Sequence, residues 1–253
     1  MMNLQAVPGT APRVYSPIRV PERPRRSEGD WSSLQEVMDL LLYDGHASEA
    51  ANGQLFRRRR VKAGQSVFLM GQPFDGLYVV RLGALKTVVI HDDGSEHVLS
   101  FSMKGDLMGT DGICKDQYCT EAVALTDCEV IRLPASELFM PGRGCNELER
   151  MAYWAISREV VKEQMSYTLS HASKSEVRVA RFLLMQSNCF SALGYSPRRF
   201  TLPMTRRDIG SYLSVTLETV SRALSALHNL GIIEVASREI TILSREALHA
   251  YEG

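Results

Sequence analysis

Apolar and polar positions follow three different rhythms along this chain. Residues 31–51 carry apolar side chains at Leu34, Val37, Met38 and Leu41, a spacing that predicts a helix. Short apolar runs then follow at 67–69, 77–80, 87–90 and 97–101, punctuated by Gly64, Gly71, Gly76, Gly83, Gly94, Gly105, Gly109 and Gly112. Runs of this length read as strands of a barrel or sandwich, and Asp92-Asp93-Gly94-Ser95 as a hairpin turn that needs glycine. From residue 146 to about 170 the pattern becomes helical again. Tyr153, Ile156, Val160, Glu163, Tyr167 and Ser170 recur at alternating spacings of three and four, a coiled-coil seam, while Leu148, Met151, Ala152 and Ala155 form a second stripe that can pack on the strands.

The last third reads as two short helices and a hairpin. In residues 204–213, Ile209, Tyr212 and Leu213 share a face, Thr205 can cap the start, and Asp208 suits the first turn. Gly210 costs about 1 kcal/mol against alanine inside a helix, which points to close approach of a neighbouring helix. Ser214-Val215-Thr216 breaks the pattern, and Thr216 can cap a second helix over 217–227. There Leu217, Val220, Leu224 and Leu227 are expected to face inward, with Glu218, Ser221, Arg222 and Ser225 opposite. Two β-like runs, 231–235 and 239–242, complete a wing. Helix, turn, helix and wing form a DNA-reading unit. Arginine can donate twice to guanine, glutamate accepts from cytosine N4, and serine serves base or phosphate. Thr216, Thr219 and Arg206 join Glu218, Ser221, Arg222 and Ser225 as candidate DNA contacts. Glu218 and Arg222, four residues apart, can also hold each other in position.

Composition changes this picture little. Lys+Arg 29 balances Asp+Glu 29, so net charge gives no sign of nucleic acid. From His171 onward one lysine and nine arginines face one aspartate and six glutamates, a net of +3. Such weak charge suits a protein that relies on base contacts and pairing of two copies more than on bulk electrostatics. No apolar run is long enough to span a membrane, and the N-terminus has no signal-peptide core. Five irregularly spaced cysteines do not resemble a secreted disulfide framework. A cytoplasmic protein is expected. Residues 1–30, rich in proline and arginine, read as a disordered tail. The run Arg57-Arg58-Arg59-Arg60 reads as a solvated face of an edge strand.

Glu218, Ser221 and Arg222 form an E-x-x-S-R signature. With residues 194–200 (G-Y-S-P-R-R-F) and 204–210 (M-T-R-R-D-I-G), it resembles the Crp/Fnr family of bacterial transcription regulators, and its FNR branch in particular. Leu217 and Ser221 stand where the cyclic-AMP-receptor branch has arginine and glycine. The resemblance covers roughly residues 50–250. It implies an α+β protein: a β-roll sensor domain resembling cyclic-nucleotide-binding jelly rolls (31–145), a dimerisation helix (146–172) and a C-terminal winged helix-turn-helix (173–253). It also implies a homodimer on double-stranded DNA, with Tyr153, Ile156, Val160, Glu163 and Tyr167 at the interface, reading TTGAT-N4-ATCAA. An activator that contacts RNA polymerase is expected, and a repressor on the same site is the alternative. In a parallel dimer the two copies of Glu163 would approach, holding association near balance.

The sensor side departs from the family. Thr110 stands where a ribose-binding glutamate belongs, and Cys119-Thr120 where a phosphate-binding Arg-Ser pair belongs, so cyclic AMP is not expected. The FNR branch holds a [4Fe–4S] cluster with three N-terminal cysteines and one in the β-roll. This chain has no cysteine before Cys114, and no iron–sulfur cluster is expected. No cofactor or metal is called. Cys114, Cys119 and Cys128 remain as candidate redox thiols, which would make the protein a thiol-gated regulator. Cys145 and Cys189 read as structural. His91, His97 and His171 show no ligand spacing, and no H-x-H supports the rival class, a cupin-like metalloenzyme. No catalytic residue is called.

Overall fold

A computed structural model describes residues 30–45, 53–138, 147–170 and 174–251, with side chains to Gln164 in the third stretch. The proposed tail, Cys145, His171 and the side chains of Tyr167 and Ser170 lie outside the described residues.

The chain opens with β1 (Trp31–Ser33), paired antiparallel with β2 (Leu55–Val61), and α1 (Leu34–Leu41) follows at once. The helical pattern starts at Leu34, not at Trp31: the Ser33 hydroxyl accepts the Glu36 N–H and caps α1, leaving the three residues before it extended. Leu34, Val37, Met38 and Leu41 are all buried.

Next come β3 (Ser66–Phe68), β4 (Gly76–Leu82), β5 (Ala84–Ile90), β6 (Glu96–Met103), β7 (Leu107–Met108), a 3-10 turn (Thr110–Gly112), β8 (Glu121–Ala124) and β9 (Cys128–Pro134). They form a five-stranded sheet ordered β1-β2-β9-β4-β7 and a four-stranded sheet ordered β3-β8-β5-β6. Strand β4 is buried on both faces, and its period of two sorts the side chains. Tyr78 and Val80 point into the space between the sheets, with Phe68, Leu85, Tyr118 and Val130. Leu77 and Val79 point outward under α1, α2 (Ala135–Leu138) and α3 (Glu147–Ser170).

Strand β1 pairs only with Leu55–Arg57 and β9 only with Arg58–Val61, so the basic run of β2 keeps an open edge along Arg58–Arg60, and Arg57, Arg59 and Arg60 are exposed as a solvated face would be. Its arginines are held by carboxylates and carbonyls. Arg58 donates to Glu36 at 2.7 Å and Arg60 lies 3.4 Å from Glu129, while Arg59 donates to the Val67 carbonyl at 2.6 Å. Arg81 of β4 bridges the same two glutamates, pinning α1 to the sheet.

Helix α3 buries Leu148, Met151, Ala152 and Ala155 against the β-roll. Its next turns are pinned by charge. Arg158 donates to the carbonyls of Leu41 and Gly105, and Lys162 reaches Asp106 at 2.7 Å. Burial alone would lower the Lys162 pKa, but Asp106 and Glu159 outweigh it and hold it above the ordinary lysine value. Tyr153, Val160 and Val161 are left exposed on the other face.

Helix α4 (Ser175–Ala192), β10 (Arg199–Thr201), α5 (Arg206–Tyr212), α6 (Leu217–Asn229), β11 (Ile233–Ala236), β12 (Glu239–Ile242) and α7 (Arg245–His249) complete the chain. The wing has three strands, ordered β10-β12-β11, since residues 199–201 add to the hairpin read from sequence.

Candidate nucleic-acid interface

Thr205 and Asp208 form a reciprocal capping box at the start of α5, the hydroxyl accepting from the Asp208 N–H while the carboxylate accepts from the Thr205 N–H. The helix ends in a tight turn in which Ser214 adopts a left-handed backbone (φ 53°) and the Val215 N–H bonds the Gly210 carbonyl at 2.9 Å. A Cβ on Gly210 would sit 2.7 Å from the Val215 carbonyl oxygen and 3.4 Å from the Leu217 nitrogen. The glycine is therefore fixed by the start of the second helix.

Thr216 caps α6 through the Thr219 N–H at 3.1 Å. Val220, Ala223, Leu224 and Leu227 are buried. Leu217 is not part of that stripe: it is 40% exposed. It occupies the first position of the helix, and the inward row is made by Ala223 with Val220, Leu224 and Leu227.

The polar side of α6 is open. Glu218, Arg222 and Ser225 are exposed and Ser221 is half-buried. Glu218 is held below the usual carboxylate range by its own backbone N–H, the Thr216 hydroxyl and the charge of Arg222. It is thus an ionised acceptor at the positive end of the helix. The Arg222 guanidinium rests 3.5 Å from the Thr219 hydroxyl instead of closing a contact ion pair with Glu218, so its fork is available. Arg206 donates to the Ser221 hydroxyl at 3.2 Å, tying the two helices together and leaving the serine proton free to donate. Ser225 donates back to the Ser221 carbonyl and presents lone pairs outward. The Thr216 and Thr219 hydroxyls are 3.0 Å apart and engaged in the cap. All seven sequence-predicted DNA contacts thus lie on or beside one helix.

The charge and ring contacts that hold this unit against the β-roll were not read from sequence. Lys86 of β5 lies 2.9 Å from both Asp208 of α5 and Glu96 of β6. The Val98 N–H donates to the Ser211 hydroxyl at 2.9 Å. Phe101 of β6 packs on Phe182 of α4 and Tyr212 of α5, with ring centroids 6.1 and 5.2 Å apart. Arg178 of α4 donates to the Leu213 carbonyl and closes the end of α5. Their signal is a contact between residues far apart in sequence, which no local pattern carries.

On α3 the buried face is centred on Met151, Ala155, Arg158 and Lys162, so the opposite direction passes through Tyr153, Ser157, Val160 and Gln164. Ile156 sits to one side, half-buried against the β-roll core, and Glu163 is exposed on that same flank.

In the β-roll, the Asp111 carboxylate accepts the Cys119 N–H at 2.8 Å and the Thr120 hydroxyl at 3.0 Å. Those donors belong to the two residues that stand where a phosphate-binding pair is expected. A carboxylate held there repels a phosphate, and the buried Tyr118 ring stacks on Phe68 at 4.1 Å beside it. The residues present do not fit a cyclic nucleotide. The Cys114 and Cys119 sulfurs both lie near the Asp111 carbonyl on this loop. Cys128 does not join them: it is buried at the start of β9, and burial pushes its thiol pKa up. Among the described residues no group of three or more His, Cys, Asp or Glu side chains is arranged to hold a metal.

A β-roll, a long helix and a winged helix-turn-helix with an open polar face define a DNA-binding regulator. Comparison with known proteins identifies the family. Residues 58–140 match the cyclic nucleotide-binding domain family and residues 177–251 the Crp-like helix-turn-helix domain family. The chain is 36% identical over 237 residues to the transcriptional regulatory protein btr of Bordetella pertussis, covering 93% of this chain and 97% of that protein. It is 33% identical to the fumarate and nitrate reduction regulatory protein of Yersinia pestis, covering 87% and 88%. Among solved structures, FixK2 of Bradyrhizobium japonicum superposes with a TM-score of 0.69 at 28% identity, over 78% of this chain and 96% of that one. The chain belongs to the Crp/Fnr family of transcription regulators.

Proposed function

We propose that this regulator works as a homodimer that reads TTGAT-N4-ATCAA in the major groove and activates transcription by contacting RNA polymerase in the cytoplasm. The observation that carries the site is the open face of α6, where an ionised Glu218, a Ser221 with a free donor and an exposed Arg222 fork stand together. Each arginine would take a guanine and each glutamate a cytosine of one half-site. Two such helices one DNA turn apart fit a palindrome. The exposed apolar side chains Tyr153, Val160 and Val161 on α3 support pairing along that helix. Ile156, Glu163 and Tyr167 belong to the same proposed interface, with Glu163 at its flank. The same proposal has no iron–sulfur cluster and no cyclic AMP as input. Described residues contain no helix long and apolar enough to cross a membrane.

A gel-shift tests the reading. Retardation of a TTGAT-N4-ATCAA duplex is expected, with loss when the guanine of either half-site is replaced. Equal binding to the intact and replaced duplexes rules the assignment out.

A further inference from the structure

Cys114 and Cys119 lie against the same acceptor. Their sulfurs are 3.8 and 3.9 Å from the Asp111 carbonyl oxygen. Cys114 is exposed and Cys119 half-exposed, on the loop between the 3-10 turn and β8. Asp116 between them takes a left-handed backbone (φ 54°), which folds the loop back on itself. We propose that these two cysteines are an oxidant-sensitive modification site, closed to a disulfide by hydrogen peroxide, and that closure is felt by α3.

The chemistry balances within the pair and its oxidant. The more exposed Cys114 thiolate attacks one peroxide oxygen, the O–O bond breaks, and hydroxide leaves, giving a sulfenic acid. The Cys119 thiolate then attacks that sulfur and expels a second hydroxide as the S–S bond forms. Two electrons pass from the sulfurs to the peroxide. The two hydroxides take up the two thiol protons, so water is the product. The remaining described cysteines are poorly placed to compete. Cys128 is buried, and burial also pushes the Cys189 thiol pKa up.

The link to α3 is short. Asp111 holds the Cys119 N–H and the Thr120 hydroxyl, so drawing Cys119 toward Cys114 pulls on both bonds. Four residues before Asp111, the Leu107 N–H donates to Glu159 of α3 at 3.5 Å, and Asp106 holds Lys162 of α3 at 2.7 Å. One segment, residues 106–111, therefore carries the thiol loop at one end and the long helix at the other.

The test uses the full chain treated with hydrogen peroxide, then thiol alkylation, peptide mapping and amide exchange. Two thiols should be lost together, as a Cys114–Cys119 cross-linked peptide reversed by dithiothreitol. Cys114→Ser and Cys119→Ser should each abolish it, and a Cys128→Ser/Cys189→Ser double variant should keep it. Exchange at the Leu107 amide should rise several-fold on oxidation, and not in Cys119→Ser. Two results overturn the proposal: oxidation to sulfinic acid or another pairing in place of this cross-link, or cross-linking with unchanged exchange across 106–111. Neither readout involves DNA, so failure here leaves the reading of α6 standing, and the reverse.

Discussion

Helices α5 and α6 are both capped by threonine and joined by one turn, yet they commit their polar side chains in opposite ways. On α5, Asp208 and Ser211 are engaged with the β-roll: Lys86 holds the carboxylate and the Val98 N–H holds the hydroxyl. On α6, Glu218, Arg222 and Ser225 face solvent. One half of the motif fixes the position of the other half. The side chains proposed to read DNA are engaged only within the helix-turn-helix and keep their outward side open.

Substitutions at five residues test this contrast. The largest effect is expected from Phe182→Ala, because its fully buried ring joins Phe101 to Tyr212. A loss of about 3–5 kcal/mol in urea unfolding is expected for removing such a ring. On the other helix, Arg222→Ala should leave unfolding unchanged and weaken binding by about 1–3 kcal/mol per half-site, measured by titration of the palindromic duplex. Equal losses in both assays would show that Arg222 is structural.

Lys86→Met should destabilise by about 1.5–3 kcal/mol, the worth of a hydrogen bond to a charged group. The pH dependence should change with it. Burial alone would raise the Asp208 pKa, but the Thr205 hydroxyl and Lys86 outweigh it and hold the carboxyl below its usual value. That stability is fully present above the unfolded carboxyl pKa near ~3.9 and is lost as pH falls through the lower folded value. Burial would likewise lower the Lys86 pKa, but Glu96 and Asp208 outweigh it and raise it. Its share is present below the unfolded lysine pKa near ~10.4 and is lost as pH rises through the higher folded value. Unfolding midpoints measured between these limits should be flat for this pair, and Lys86→Met should remove part of the acid dependence below them. The smallest effect separates the two caps. Thr205→Ala breaks a reciprocal box on a half-buried helix start and Thr216→Ala an exposed cap with no returned backbone bond, so losses of about 1–2 and about 0.5–1 kcal/mol are expected from thermal unfolding.

The helix-turn-helix and the polar face of α6 were legible in the sequence because their signals are local. Thr216, Glu218, Ser221 and Arg222 lie within seven residues, and Gly210 announced a close approach that the Val215 carbonyl makes. Leu217 was misplaced because periodicity assigns a face without asking what lies beneath the first turn. The Arg57–Arg60 run was legible as a solvated strand face, but the short strand Trp31–Ser33 that pairs beside Arg57 was not, because three residues are too few to carry an alternation of their own. Lys86 and Asp208 are 122 positions apart, and nothing in either neighbourhood names the other. The thiol pair was visible as a spacing, but the carbonyl shared by its sulfurs was not.

Val88, Val98 and Phe101 of the β-roll belong to the same buried cluster as Phe182, Tyr212 and Leu224 of the reading domain. The boundary of the DNA-binding module as a stretch of sequence is therefore not its boundary as an object. A fragment cut between α3 and α4 would lose Val88, Val98 and Phe101 from that core and expose the side chains they cover. Grafting this reading head onto another member's sensor would succeed only if the β5–β6 hairpin travelled with it. In this protein the sensor and the helix-turn-helix share one core, and a separable unit would have to include both sides of it.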